Sequence, residues 1–178
     1  YDGVVDFNQI ATALLKIQKE ELPTDIKIQT GYLDEVERLS QKTSTDLTLT
    51  ILPMKNPHLE STPLAPIEML LVASSQHPLS HRPPQKGKNG VWSLKDLSEH
   101  HLIHVREGAP HNPIGFETDR ISFRSSIMVN DFPTKREAIT RNLGIGWLPR
   151  YLIERQLKSG SLKILKTQFK NSHILQPR

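Results

Sequence analysis

Histidine and serine are the side chains in this sequence best suited to metal or nucleophile chemistry. His77 and His81 stand four apart, as do His100 and His104, with His101 beside them. Metal ligation by such a pair needs a helix that keeps both rings on one face, together with a carboxylate or a third histidine. Pro78 and its loop-like surroundings spoil the first pair, and two ligands rarely suffice for the second. Solvated or hydrogen-bonded histidines are therefore expected, and no metal is assigned. Ser74-Ser75 and Ser125-Ser126 lack the glycine-flanked elbow that presents a hydrolase serine. Gly144-Ile145-Gly146 follows a helical pattern, whereas a dinucleotide fingerprint follows a strand and opens a helix. There is no cysteine, which excludes disulfides, thiolate nucleophiles and zinc–thiolate sites. The expectation is a protein with no catalytic residues and no cofactor.

Charged residues near chain turns suit binding better than catalysis. Asp2 and Asp6 precede the first helix, where carboxylates serve as dipole-favoured caps. If Asp2 faces a cleft, it favours an amine-bearing or hydrogen-bonding ligand. Arg106 points the other way, since a guanidinium grips a carboxylate with two parallel hydrogen bonds. Both signs of ligand are left standing.

These residues need elements to position them. Phe7 to Glu21 reads as a helix with an Ile10, Leu14, Ile17 stripe, stopped by Pro23. Asp25 to Thr30 alternates as a strand, and Gly31 bends into a helix carrying Leu33, Val36 and Leu39. Asp46 to Ile51 alternates again, with Leu47, Leu49 and Ile51 inward and Thr48 and Thr50 outward. Glu68 to Ala73 is apolar on both faces, as a central strand is. Ser74 to Asn89 reads as an exposed loop and marks a boundary.

Beyond it come a short helix opened by Ser93 and Asp96, a strand Leu102 to Val105, a loop holding Gly108, Pro110 and Pro113, and a strand Ile127 to Val129. Asp131 and Pro133 then open a helix whose Ile139 and Leu143 share a face, with Gly144 as its left-handed stop. Ile145 and Trp147 follow as a half-buried strand, with Trp147 read as core packing or ligand contact. Tyr151 to Lys158 is helical, Gly160 ends it, Leu162 to Leu165 is a strand, and Ser172 to Arg178 starts another. Alternating helices and strands call for a sheet covered by helices, and helix N-termini after strand ends make a crevice for a small ligand.

The bulk numbers agree. At 178 residues the chain supports one large domain or two small lobes. A net charge of +4 raises nucleic acid as a partner, but the 23 Lys and Arg are scattered among 19 Asp and Glu. Only 6% of residues are aromatic, with no stacking series, which disfavours direct nucleic-acid binding. No apolar run has membrane-span length, so no membrane partner is expected. Tyr1 in place of Met points to a fragment or a processed form.

Taken in order, several signposts resemble one family. They are Leu14-Leu15 to Leu22-Pro23, the Gly31 to Leu39 helix entry, Thr45-Asp-Leu-Thr-Leu-Thr50, and Pro63-Leu64 before Leu70-Leu71-Val72-Ala73. His77-Pro78-Leu79, Ser93-Leu94 with Asp96-Leu97, Asn142 to Pro149 (N-L-G-I-G-W-L-P), and Leu157 with Gly160 and Leu162 complete them. The chain resembles the effector-binding domain of LysR-type transcriptional regulators. That resemblance implies the type 2 periplasmic-binding-protein fold, α/β, with two Rossmann-like lobes joined by crossing hinge strands. Lobe I would be residues 1–74, with 173–178 beginning the return to it, and lobe II residues 75–172. The family's winged helix-turn-helix is not in this sequence, so DNA would be reached only through that missing N-terminal domain.

A small-molecule effector would lie between the lobes. Tyr1, Asp2, Gly3, Thr30, Gly31, Thr50, His104, Arg106, Asp131 and Phe132 are the expected contacts. The resemblance further implies a cytoplasmic homodimer or higher homo-oligomer, built on the first helix, whose Ala11 and Leu15 face outward. A transport solute-binding protein of the same fold is the alternative. Two enzyme families of this fold fit poorly. A porphyrin-pathway deaminase needs a cofactor-bearing cysteine, and a prephenate dehydratase needs a Thr–Arg-Asp–Thr pattern not found here.

Overall fold

The computed structural model describes residues 1–21, 23–53, 58–81, 90–105 and 114–178. Asp6 caps helix α1 (Phe7–Lys19), its Oδ1 accepting the Asn8 amide at 3.0 Å. Helix α2 (Asp34–Thr43) carries Asp34, Glu35 and Glu37 in its first turn, at the positive end of its dipole, and buries Val36. Strand β1 (Ile67–Ser74) is followed by the short helices α3 (Pro78–His81) and α4 (Leu94–Ser98). The capping box expected of Ser93 and Asp96 opens α4. Strand β2 (His101–Val105), a 3-10 turn at Glu117–Arg120 and strand β3 (Ser125–Val129) come next. Helix α5 (Phe132–Thr140), strand β4 (Gly146–Pro149), helix α6 (Arg150–Ser159) and strands β5 (Leu162–Ile164) and β6 (Ser172–Leu175) complete the described order.

Strand β1 organises the sheet. Its residues Met69 to Val72 pair antiparallel with Pro149 to Gly146 of β4 on one edge. The other edge is shared end to end, with Ile67 to Leu70 against β6 and Val72 to Ser74 against β5, both antiparallel. β2 and β3 form a parallel pair, and Leu102 bridges to Ile145 at the entry to β4, so the layers continue into each other. Alternate β1 residues enter two separate cores. Ile67, Met69, Leu71 and Ala73 pack with Ile145, Trp147 and Val4, while Leu70 and Val72 pack with Leu148, Ile139 and Ile153 beneath α5 and α6. This is the central strand that the unbroken apolar run predicts. At the chain's end, Arg178 exchanges two backbone hydrogen bonds with Thr50, and Leu64 donates to Pro177.

Several expectations are corrected. The alternation of Asp25 to Thr30 does not make a strand: Ile26 and Ile28 are exposed, and the segment's ladder contacts lie only at its end. There the Tyr1 ammonium donates to the Gln29 carbonyl at 2.6 Å, and Gly31 pairs with Tyr1 and Gly3. Alternation yields a strand only where a neighbour supplies a ladder over its whole length. In Asp46 to Ile51, Ile51 is buried and Leu49 half-buried as the alternation requires, but Leu47 is exposed and Thr50 is buried. The Thr50 hydroxyl turns onto Leu52, accepting its amide at 3.1 Å and donating to its carbonyl at 3.2 Å.

Helix α5 stops at Thr140, and the left-handed residue is Asn142 (φ 63°), not Gly144, so Leu143 swings out to solvent. Gly144 has a different reason to be glycine: a Cβ there would meet the His101 backbone carbonyl. Ile145 and β4 are buried on both faces, not one.

The expected exposed loop after β1 is partly core. Ser74, His77 and Leu79 are buried, and residues 82–89 lie outside the described residues, as do Leu22, Arg106 and the loop with Gly108, Pro110 and Pro113. His77 is packed edge-on to His100 at 4.7 Å between ring centroids, and its Nδ1 accepts the Leu79 amide at 3.2 Å. Burial, then the nearby His100 and His101, push His77 down to about 4. Among the described residues no three metal-ligating side chains gather, and no helix is long and apolar enough to cross a membrane.

Two predictions follow from these contacts. Gly144→Ala should destabilise the fold by about 1–3 kcal/mol, since backbone must move to admit the methyl, whereas Leu143→Ser should stay within about 0.5 kcal/mol; urea unfolding compares them. For His77, an unfolded imidazole takes up its proton near pH 6.5 and the folded one only near 4. Stability is therefore full above about 6.5 and falls as pH drops towards 4, by on the order of 3 kcal/mol. His77→Asn should flatten that slope in thermal melts recorded at stepped pH, and an unchanged slope would remove His77 as its source.

Candidate functional site

A cavity of about 420 Å³ opens where the chain's N-terminal turn, the start of α2, strand β2, the start of α5 and the crossing strands β1 and β6 converge. Met69, Trp147 and Leu175 of the central sheet line it, together with Leu102, Ile103 and Val105 of β2. Phe116 lies flat on Trp147 with centroids 4.8 Å apart and 8° between planes, and His173 stands edge-on to both rings. The imidazole of His173 is held by Glu117 at 2.6 Å, so the 3-10 turn and β6 are fastened together behind the aromatic wall. Trp147 Nε1 donates to the buried Thr118 hydroxyl at 3.0 Å, and Thr118 also lines the cavity.

Polar groups are few. Asp2 is buried, and its two carboxylate oxygens accept the backbone amides of Val4 (3.0 Å) and Leu33 (3.1 Å). Burial raises its pKa against the pull of those two bonds and of the nearby N-terminus. The carboxylate thus ties the N-terminal turn to the entry of α2. Tyr32 and Phe132 face each other with ring centroids 6.1 Å apart. Burial first, then Asp131 and Asp2, raise that phenol to about 12.

On the opposite side of the N-terminal turn, the Tyr151 hydroxyl donates to the Val4 carbonyl at 2.9 Å. His104 lines the cavity with its pKa lowered, by burial and then by Lys135. Lys135, in the first turns of α5, is 6% exposed and holds its ammonium 5.7 Å from the Phe132 ring centre. Gly146 gives it room: a Cβ there would come within 2.9 Å of Lys135 Cε.

Of the expected contacts, Asp2, His104 and Phe132 line the cavity. Tyr1, Gly3, Thr30, Gly31, Thr50 and Asp131 are not among its lining residues. Their roles are local. Gly3 leaves room for the Tyr32 ring, Gly31 packs against Leu39, Thr30 is exposed, and Thr50 closes its own turn. Asp131 caps α5 by accepting the Thr134 amide at 2.6 Å, as its position predicts. Arg106 lies outside the described residues.

Tyr32, Thr118 and Lys135 were missed. Lys135 carried a readable signal: it precedes Ile139 by four and so shares the inward face of α5, where a charge is unusual. Trp147 is both core and cavity wall. One serine–histidine contact does form, His101 Nδ1 to Ser125 Oγ at 2.5 Å, but both are exposed ladder partners outside the cavity lining.

Comparison with known proteins adds four findings. A family model described as the LysR substrate binding domain matches residues 8–174. The regulatory domain of CcmR from Synechocystis PCC6803, in complex with 2-PG, superposes with a TM-score of 0.71 at 14% identity, over 99% of this chain and 84% of that one. The regulatory domain of NMB2055 (MetR), a LysR family regulator from N. meningitidis, gives 0.68 at 17% identity, over 96% and 77%. In sequence, the uncharacterized HTH-type transcriptional regulator YeeY of Escherichia coli (strain K12) is 30% identical over 110 residues, which are 46% of this chain and 34% of that protein. The match thus spans about a third of that relative's length.

Proposed function

Since the chain belongs to the LysR substrate-binding-domain family, whose type 2 periplasmic-binding-protein fold it shares with the LysR regulatory domains, we propose that it senses a small-molecule effector in the 420 Å³ cavity and passes the result to DNA through the rest of its parent protein. The cavity itself carries this reading. It is mostly apolar, has a few converging polar groups, and is of metabolite size. We further propose that residues 1–74 with 173–178 act as one lobe and 75–172 as the other. The Arg178–Thr50 pairing supports the return of the chain's end to the first lobe, and β1 and β6 run between them. Binding can act as a signal only as far as the ligand's affinity differs between lobe arrangements. The Tyr32–Phe132 ring contact and the Tyr151–Val4 hydrogen bond are the contacts such a rearrangement would strain.

No chemistry is assigned to the site, because among its described lining residues no nucleophile is paired with a base. A cytoplasmic sensor that regulates transcription, not a transport protein, is favoured by the likeness to the HTH-type regulator YeeY. DNA contact belongs to a helix-turn-helix domain of the parent protein.

Self-association is the further element of the proposal. Helix α1 buries no residue and leaves Phe7, Leu15 and Ile17 exposed. These are the outward apolar positions that a homodimer would cover.

Two measurements test this. A thermal-shift screen of small metabolites should give hits worth about 2.7 kcal/mol at a hundredfold the dissociation constant. Leu102→Trp, which fills the cavity, should abolish them; hits untouched by that change would bind elsewhere. Sedimentation should show a dimer that Leu15→Glu converts to monomer, and a wild-type monomer at high concentration would overturn the dimer.

A further inference from the structure

One wall of the cavity is built differently from the rest. Strands β1, β2, β4 and β6 are held in ladders, and backbone bonds from Asp2 to Leu49 and from Gly3 to Gly31 tie the N-terminal turn. The wall made by Ile114, Phe116, Thr118 and Asp119 joins no strand ladder among the described residues. Its 3-10 turn closes on itself, the Asp119 amide donating to the Phe116 carbonyl at 3.0 Å. The chain is next anchored where the Arg124 amide meets the Ser98 carbonyl at 2.7 Å.

Side chains fasten this strap to β4 and β6. Phe116 lies flat on Trp147 of β4, whose indole N–H donates to the buried Thr118 hydroxyl. Glu117, between them in sequence, holds the His173 imidazole of β6 at 2.6 Å, and that ring stands edge-on to both Phe116 and Trp147. Glu117 and His173 each keep part of their side chain in water, so a parted pair is rehydrated and not stranded. At the leading end Gly115 is left-handed (φ 69°), and a Cβ there would meet nothing within 4 Å, so the chain can pivot in open space.

A wall held by side chains, between an uncrowded glycine and a backbone anchor, opens at lower cost than a laddered strand. Local openings draw on the least cross-linked segments of a fold, and lids over binding sites are made of them. We propose that residues 115–120 are the gate of the cavity, lifting Phe116 off Trp147 as they swing, and that the Glu117–His173 pair is the latch. The proposal rests on the reading of the cavity as the effector site and adds how that site is opened and closed. In the lobe division proposed above, Glu117 and His173 fall in different lobes. Lobes that move apart therefore part the pair and release the gate.

The Trp147 indole N–H reports the gate directly, since its acceptor sits on the strap. Native-state hydrogen exchange, read by NMR in low, stepped urea, compares it with the amides of Met69 to Val72 in β1. The chain has two tryptophans, and Trp92→Phe, run in parallel, tells their indole signals apart.

In the unmodified chain the Trp147 indole should be about a hundredfold less protected than the β1 amides, at a rate that low urea leaves unchanged. Glu117→Ala should speed its exchange by about tenfold more, while the β1 amides stay as they were. An indole that follows β1 through urea opens only with the whole fold, which overturns the gate. An unchanged indole rate in Glu117→Ala, with β1 also unchanged, overturns the latch and the proposal with it. If that variant weakens the entire fold, the β1 amides quicken too, and the urea dependence in the unmodified chain decides alone. The measurement uses no ligand, so the failures separate. A metabolite screen without hits removes the effector reading and leaves the opening motion, whereas a rigid strap removes the gate and leaves the effector reading.

Discussion

A strand without a polar face has to be covered on both sides, and everything else in this chain is arranged around that requirement. Ile67–Ser74 sends alternate residues into two cores, one beneath α5 and α6 and the other reaching the N-terminal turn and the aromatic wall. At about 25 cal/mol per Å² of apolar surface removed from water, such a strand is worth more to the fold than any polar contact in it. Both its edges are paired, by β4 over Met69 to Val72 on one side and by β6 and β5 in series on the other. The cavity lies where this covering stops short, with Met69 of β1 and Trp147 of β4 left facing empty space.

Most of the cavity's polar groups hold its walls together. Asp2 joins the N-terminal turn to α2, and Tyr151 reaches back to Val4. Behind the aromatic wall, Glu117 and His173 fasten the 3-10 turn to β6. Each link is a hydrogen bond in a partly dry setting, where it is stronger than in water and costlier to leave unmade. All three join segments far apart in sequence, and so they hold the cavity's shape in ways that local propensity does not.

This division also explains what could be read in advance. Local signals hold at the Ser93–Asp96 box, the Asp131 cap and the Gly160 stop, which need only neighbours in sequence, and fail at Gly144, where Asn142 takes the left-handed turn. The run Met69 to Ala73 was legible because a two-faced apolar strand has one place to go. Alternation in 25–30 and 46–51 misled, because a strand needs a partner that no local pattern specifies. Site residues were legible in part. The family resemblance names Asp2, His104 and Phe132, which line the cavity, but does not tell a carboxylate that binds the fold from one that binds a guest. Lys135 and Tyr32 lie outside that reading, Lys135 on the inward side of a helix.

Gly146 has a consequence that reaches past its own strand. It lies in a row of buried apolar residues and carries no charge, yet the absence of its side chain is what lets the Lys135 stem pass. A single methyl added at Gly146 would press on the Ile103 backbone carbonyl at 2.6 Å and on the Lys135 stem at 2.9 Å, so the spacing of two strands and the path of a helix side chain are set together by one missing carbon.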